Sequence, residues 1–462
     1  MKSCAQQANT PSLPYWLLSG FLTLVFLLGG SARGDVQSLA ILRPLSALML
    51  GYGLWGLRPD HIGPLRFLVI FASAVIGLVV IHLIPLPASL WTLLPGRDLT
   101  ASIDRAAGFG AVWRPISLVP AATWNALYAL VTPLAVLVMA IQLTREQRFA
   151  LLPIVISLGL FSGLIGLLQA IGPPDSPLYL YQITNEGAAV GLFANRNHQA
   201  VLLACLFPML GVFASTGLRS IEQARFWEML AVGAGAILIP LLLVTGSRAG
   251  LITGLIGLAS LLLLYRRPTF AQPAKRKISR INPRILIGAA IILGLVLMTI
   301  LMARAEALDR LLADDNAQNL RFEIWKPIAT MAGKYFPFGS GIGSFVEVFQ
   351  IDEPYSQLSP TYLNHAHNDW IETLLTSGLA GTLLLLTAVI AWSRLSLAYL
   401  RAPARGQRGL IFGKLGAVLI FIVALASISD YPLRTPSMAC VLILAAVWMA
   451  SGFETMLGRR HN

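Results

Sequence analysis

Long apolar runs separated by short polar stretches recur along the whole chain, and most runs are close to the length a helix needs to cross a bilayer. About 20 predominantly apolar residues in helical form span the hydrocarbon core. On that criterion the expected spans are 14–30, 37–57, 65–86, 122–142, 149–171, 197–216, 227–246, 250–265, 285–302, 370–393, 413–429 and 438–455. Two are weaker: 250–265 is short, and 37–57 contains Arg43. No internal repeat and no low-complexity tract interrupts the pattern. The first run follows MKSCAQQANTPSLPYW and ends at SARGD, a layout shared with secretory signal peptides. The many later spans favour an uncleaved first helix.

Composition agrees. Hydrophobic residues make up 56% of the 462 residues and charged residues only 12%, whereas soluble domains carry about 25% charged residues. The expectation is therefore an all-α fold: one polytopic membrane helical bundle over 1–462 with about 12 transmembrane helices. Cys4, Cys205 and Cys440 show no metal-site or disulfide spacing, and the last two fall inside apolar runs.

The formal net charge is +13. In a membrane protein this charge has first to be sorted by side. An even span count puts both termini on one face, together with loops 58–66, 144–148, 217–226, 266–284 and 399–414. That face collects most of the basic residues, among them Arg58, Arg66, Arg145, Arg148, Arg267, Lys275, Arg405, Arg459 and Arg460. The positive-inside rule makes it cytoplasmic, with both termini inside. The excess charge then reads as topology and as contact with anionic lipid, not as a nucleic-acid surface. The opposite face carries most of the carboxylates and three longer segments, 87–121, 172–196 and 303–369. The last is the large external loop expected to form a periplasmic cap, starting with a helix over ARAEALDRLLADD.

Chemistry-bearing residues gather on that external face. NHAHND opens the tenth span, with His365, His367, Asn368 and Asp369 together and Glu372 one turn on. Histidine exchanges a proton near neutral pH; equally, Asn and Asp start helices well, so an interfacial cap fits the same residues. Histidines two apart do not share a helical face, and no metal signature accompanies them, so no metal is expected. TGSRAG places Arg248 on a turn near membrane depth, where ionisable groups are costly and usually functional or paired. Gly246 and Gly250 permit a tight turn there, and a guanidinium fork suits phosphate oxygens. Arg321 precedes Trp325 by one helical turn; it could be a second phosphate ligand or pair with Glu323 or Asp315. In FANRNHQA, Asn195, Arg196, Asn197 and His198 could cap a helix or bind sugar hydroxyls. In SDYPLRTPS, Asp430 and Arg434 could pair with each other, bind ligand or orient a catalytic group.

The order GSRAG, RFEIW, FPFGSGIGSF with HAHNDWIETLLTSGLAG, then DYPLRTPS resembles the O-antigen ligase and O-antigen polymerase superfamily of membrane glycosyltransferases over about residues 190–440. The resemblance implies transfer of a glycan from undecaprenyl diphosphate on the periplasmic face of the bacterial inner membrane. The acceptor would be lipid A–core in a ligase or a growing glycan in a polymerase. It implies His367 as the catalytic histidine and Arg248 and Arg321 as diphosphate contacts. Asn195, Arg196, Asn197, His198, His365, Asn368, Asp430 and Arg434 complete the expected substrate-binding set, without cofactor or metal. GFANRNHQA is similar to polymerases of exported polysaccharides, so ligase and polymerase both stay open. A transporter of lipid-linked oligosaccharide is the reading from another class. It would place ionisable groups near the midplane on two related halves, and neither feature is visible.

Overall fold

The computed structural model describes residues 11–216, 221–266, 294, 316–358, 362–402 and 408–457. Helix dominates. Among the described residues the strands are one short antiparallel pair, Pro85–Leu86 against Arg114–Pro115. The described helices of seven residues or more are α1 (Leu13–Leu28), α2 (Leu39–Gly56), α3 (Arg66–Leu83), α4 (Asp98–Ala106), α5 (Pro120–Ile141), α6 (Leu152–Ile171), α7 (Arg196–Ser215), α8 (Ile221–Val244), α9 (Arg248–Leu264), α10 (Asn316–Tyr335), α11 (Phe345–Ile351), α12 (Asp369–Arg401), α13 (Arg408–Ala426) and α14 (Pro436–Leu457).

Among the described residues nine helices are long and apolar enough to cross a membrane, and α1 and α9 are apolar but shorter. Helix suits that environment because it closes its own backbone hydrogen bonds, which lipid cannot satisfy. The expected span 285–302 and the helix expected over ARAEALDRLLADD lie outside the described residues, apart from Gly294. Two helices start before their apolar runs, α8 at Ile221 and α13 at Arg408. Charged residues at a span's end can remain helical while their heads reach the polar layer.

The bundle is organised around α7, whose residues are almost all buried and which packs against α6, α8, α9 and α13. Hydrogen bonds define its two ends. At the basic end Ser12 Oγ donates to Gln147 Oε1 (3.3 Å), Arg148 Nη1 to Ser451 Oγ (3.0 Å) and Trp448 Nε1 to the Arg148 carbonyl (2.8 Å). At the opposite end the Ser437 amide donates to the Gly29 carbonyl (3.0 Å), and the Gly30 amide to Tyr181 Oη (2.7 Å). Arg43, the cation inside α2, donates to Asn125 Oδ1 of α5 and lies 6.0 Å from the Tyr128 ring centroid.

A second apolar cluster sits at that opposite end. Ile328, Met331 and Tyr335 of α10, Phe345 and Phe349 of α11 and Leu375 of α12 pack together. Arg97 fastens this cluster to the 85–118 segment. Arg97 is 2% exposed, and its guanidinium donates to the carbonyls of Pro95 (2.9 Å), Ile116 (2.6 Å) and Gly339 (2.9 Å).

The tenth expected span is also reshaped. An unbroken helix over Asp369–Arg401 would be about 50 Å long at 1.5 Å per residue, well beyond the hydrocarbon core of about 30 Å. It breaks at Gly378, where φ is 59° and ψ is −148°. The Phe336–Ser344 loop fills the break: Leu379 N donates to Pro337 O (2.8 Å), Ser340 N to Leu375 O (3.0 Å) and Gly341 N to Thr376 O (2.9 Å). The stretch 369–377 thus belongs to the layer that packs over the end of the bundle, and the run after Gly378 is left to span.

Candidate active site

Four pieces of chain far apart in sequence meet at the end opposite the basic loops: the start of α7, the 362–368 loop, the first turn of α12, and the 427–435 turn between α13 and α14. Local caps set each one. Asn195 caps α7, its side chain accepting from the Asn197 amide at 2.8 Å. Asn368 caps α12, accepting from the amides of Trp370 (3.0 Å) and Ile371 (3.2 Å). Both caps follow the preference of Asn for the non-helical residue before a helix. The Asp369 amide then donates to the Ser427 carbonyl at 2.9 Å, which locks the start of α12 to the end of α13.

Asp430 is the hub. It is 1% exposed. Its Oδ2 accepts from Asn197 Nδ2 at 2.5 Å, and its Oδ1 accepts from the Tyr431 amide at 2.9 Å. The same Oδ1 lies 3.6 Å from His367 Nδ1 and 3.6 Å from His198 Nε2. Burial favours the neutral acid, but the contacts with His198 and His367 overcome it and hold the carboxyl well below the usual carboxylate range. A fixed negative charge therefore stands behind His367, and Nε2 is the ring nitrogen on the side away from it.

A second network lies beside the first. His365 Nδ1 sits 3.1 Å from Glu372 Oε1, and the Ala366 amide donates to Glu372 Oε2 at 2.9 Å. Arg434 bridges two carboxylates, Nε donating to Asp369 Oδ1 at 2.9 Å and Nη2 lying 3.2 Å from Glu372 Oε1. Pairing between Arg434 and Asp430 is thus not what forms: Arg434 goes to α12 and Asp430 faces the histidines. The Tyr431 ring separates the two networks. The rings of His365, His367 and His198 surround it at centroid distances of 4.4, 4.9 and 5.1 Å, and Asn364 Nδ2 donates to its hydroxyl at 3.1 Å.

Arg248 is the first residue of α9, half-buried, behind the Ser247 cap whose Oγ accepts from the Gly250 amide at 2.9 Å. Gly250 crosses α7 so closely that a Cβ there would collide with the Cβ of Ala200. That crossing sets Arg248 at the same end of the bundle as His198, within about a turn of it along the paired helices. Arg196 is half-buried, and its amide donates to Asn185 Oδ1 at 3.1 Å. Asn197 and His198 are buried and face inward to Asp430. Arg321 lies on α10, and its side chain falls outside the described residues.

The sequence brought most of these residues to notice singly. It missed Tyr431 as the wall between two histidine–carboxylate pairs, and it missed the role of Glu372 as the acceptor for His365, Arg434 and the Ala366 amide. An aromatic next to Asp430, and a glutamate one turn into a helix that follows a histidine, are signals too common to single them out.

Residues 233–386 match the family model described as O-antigen ligase, which supports the O-antigen ligase-related superfamily for this chain. No curated protein matches it. The matched segment holds Arg248, α10, His365, His367 and Glu372. It leaves out Asn197 and His198 before it and Asp430 and Arg434 after it.

Proposed function

We propose that this chain, a membrane enzyme of the O-antigen ligase or polymerase type, moves a glycan from undecaprenyl diphosphate to an acceptor hydroxyl at the periplasmic face, in the manner of an O-antigen ligase. The observation that carries the reading is His367 standing beside the buried Asp430 carboxylate at the end of the bundle away from the basic loops. In this reading the acceptor is the lipid A–core. The chain lies in the bacterial inner membrane, with both termini and the basic loops in the cytoplasm.

His367 takes the proton of the acceptor hydroxyl. The acceptor oxygen forms the new bond to the anomeric carbon as the anomeric carbon–oxygen bond to the diphosphate breaks. The electron pair leaves with undecaprenyl diphosphate, and direct displacement inverts the anomeric centre. Asp430 stabilises the imidazolium formed on His367, the part a buried carboxylate plays behind a catalytic histidine elsewhere. Arg248 and Arg321 hold the diphosphate and stabilise the charge that grows on it. Arg196, Asn195, Asn368 and His365 line the approach for the glycan. Asn197 and His198 serve from beneath, through Asp430. Guanidinium forks account for the diphosphate contacts without a metal ion.

A polymerase remains the second reading, favoured by the polar GFANRNHQA start of α7; there the acceptor is a growing glycan. The test is a deletion strain, with lipopolysaccharide and lipid-linked glycan resolved by gel and complemented by the intact chain or by His367→Ala. Long chains accumulating on the lipid carrier above bare lipid A–core make the protein a ligase. Loss of long chains altogether makes it a polymerase. Rescue by His367→Ala removes the catalytic role of His367 and reopens transport.

A further inference from the structure

His198 stands beneath Asp430 without touching the reacting groups. It is 1% exposed, in the first turn of α7. Among the described residues neither of its ring nitrogens has a hydrogen-bond partner, and both are shut off from solvent. A buried polar group in that state calls for an explanation. Its Nε2 is 3.6 Å from Asp430 Oδ1, the same oxygen that His367 Nδ1 approaches to 3.6 Å.

Both distances exceed a hydrogen bond by a few tenths of an ångström, since N–H···O bonds run to about 3.2 Å. The oxygen already accepts from the Tyr431 amide, and Asn197 occupies the other carboxylate oxygen. A small movement of the carboxylate toward one ring closes that contact and opens the other. The surroundings offer His198 little else. Phe193 and Tyr431 meet it edge to face, at 6.4 and 5.1 Å. The His365–Glu372–Arg434–Asp369 network lies beyond Tyr431, and Arg248 is the charged group that α9 brings to this end of α7.

We propose that His198 is a positioning residue that competes with His367 for Asp430 Oδ1 and so sets how firmly the carboxylate supports a proton on His367. The inference rests on His367 being the base. When His367 accepts the acceptor's proton at Nε2, its Nδ1–H closes on Asp430 and His198 is released. When His367 gives that proton up, His198 can take the carboxylate, which lowers the hold on the next proton and favours turnover. No proton is created or lost in the exchange; only the partner of one oxygen changes.

The test is the pH–rate profile of transfer in proteoliposomes, with lipid-linked glycan extracted from the deletion strain as donor. His198→Asn removes the donor that faces Asp430, while His198→Gln keeps a neutral donor near the place of Nε2. With His367 the one histidine left beside Asp430, its imidazolium is favoured and more alkaline solution is needed to free the base. The acid limb of the His198→Asn profile should move to higher pH by about half a unit or more, and His198→Gln should move it less. A His198→Asn profile superimposable on that of the intact chain overturns the inference. If neither variant folds, the ring resonance of His367 in the intact, histidine-labelled chain decides. Two groups sharing one partner titrate as a coupled pair, so a broadened or two-step curve supports the competition and a single simple step overturns it. Transfer by His367→Ala would instead sink the reading of the whole site, which keeps the two failures apart.

Discussion

His367 sits at φ 48°, and among the described residues it is the one non-glycine with positive φ. The left-handed region costs an L-residue about 1–2 kcal/mol, so packing around His367 must hold it there. The site therefore stores some strain in the residue assigned the chemistry, a pattern seen at functional positions. It also selects the right variant. Asn tolerates this conformation better than most side chains, so His367→Asn should fold and melt like the intact chain while losing transfer by about 10²–10⁴-fold, the usual contribution of a general base. Retained transfer in that folded variant would remove His367 from the chemistry. Asp430→Asn keeps the shape but loses the charge behind the ring. A charge-assisted hydrogen bond is worth about 1.5–3 kcal/mol, so the rate should fall by roughly ten- to hundredfold, measured as single-turnover transfer. Asp430 is depressed below the ordinary carboxylate value; its contribution is complete above about pH 4 and fades only as pH falls below that, toward its own lower value. An acid limb of activity nearer neutrality therefore does not come from Asp430.

At the scale of elements, the break in α12 is the feature on which the site depends. Gly378 has a backbone conformation essentially confined to glycine, and a Cβ there would run into the Pro337 carbonyl oxygen. Gly378→Ala should therefore lower stability by about 2–4 kcal/mol through strain and overpacking, read as a fall in melting temperature in detergent. An unchanged melting temperature would mean that the loop and the helix separate easily. Arg434 has a comparable role in the first turn of α12. Its side chain is 26% exposed, whereas that of its partner Glu372 is 1% exposed. Arg434→Ala leaves Glu372 to His365 and the Ala366 amide alone and should cost about 3 kcal/mol, the lower end for a broken buried pair because the arginine is partly solvated and part of the compensation remains. Arg434→Lys should recover only part of this, since one ammonium cannot fork across Asp369 and Glu372 as the guanidinium does.

The molecule as a whole is two-sided. The polar networks lie at one end of the bundle and Ser12, Arg148, Ser451 and Trp448 at the other. A phosphatase reporter that works only outside the cytoplasm should be active when joined after Gln357, between α11 and α12, and silent when joined at either terminus. The reverse pattern would invert the orientation and place the site on the cytoplasmic side. An active fusion at only one terminus would break the even span count.

The apolar runs determined the helices by themselves, because in lipid a run of that length has one way to satisfy its backbone. Each described span overlaps the run where hydropathy puts it, although α8 and α13 begin five or six residues earlier and α12 runs on to Arg401. The basic loops likewise marked one end of the bundle, since charge bias is a property of composition along the chain. Local chemistry was legible too: Asn195 and Asn368 stand at helix starts because their side chains cap, whichever fold surrounds them. What sequence could not decide was pairing across distance. Nothing in SDYPLRTPS says that Asp430 turns to Asn197, His198 and His367 while Arg434 turns to Asp369 and Glu372. The break at Gly378 was equally hidden, because glycines inside apolar helices are common and only the approach of the Phe336–Ser344 loop makes this one bend. Those choices belong to packing, where α7, α12 and the α13–α14 turn converge and each buried charge must take the nearest group that neutralises it.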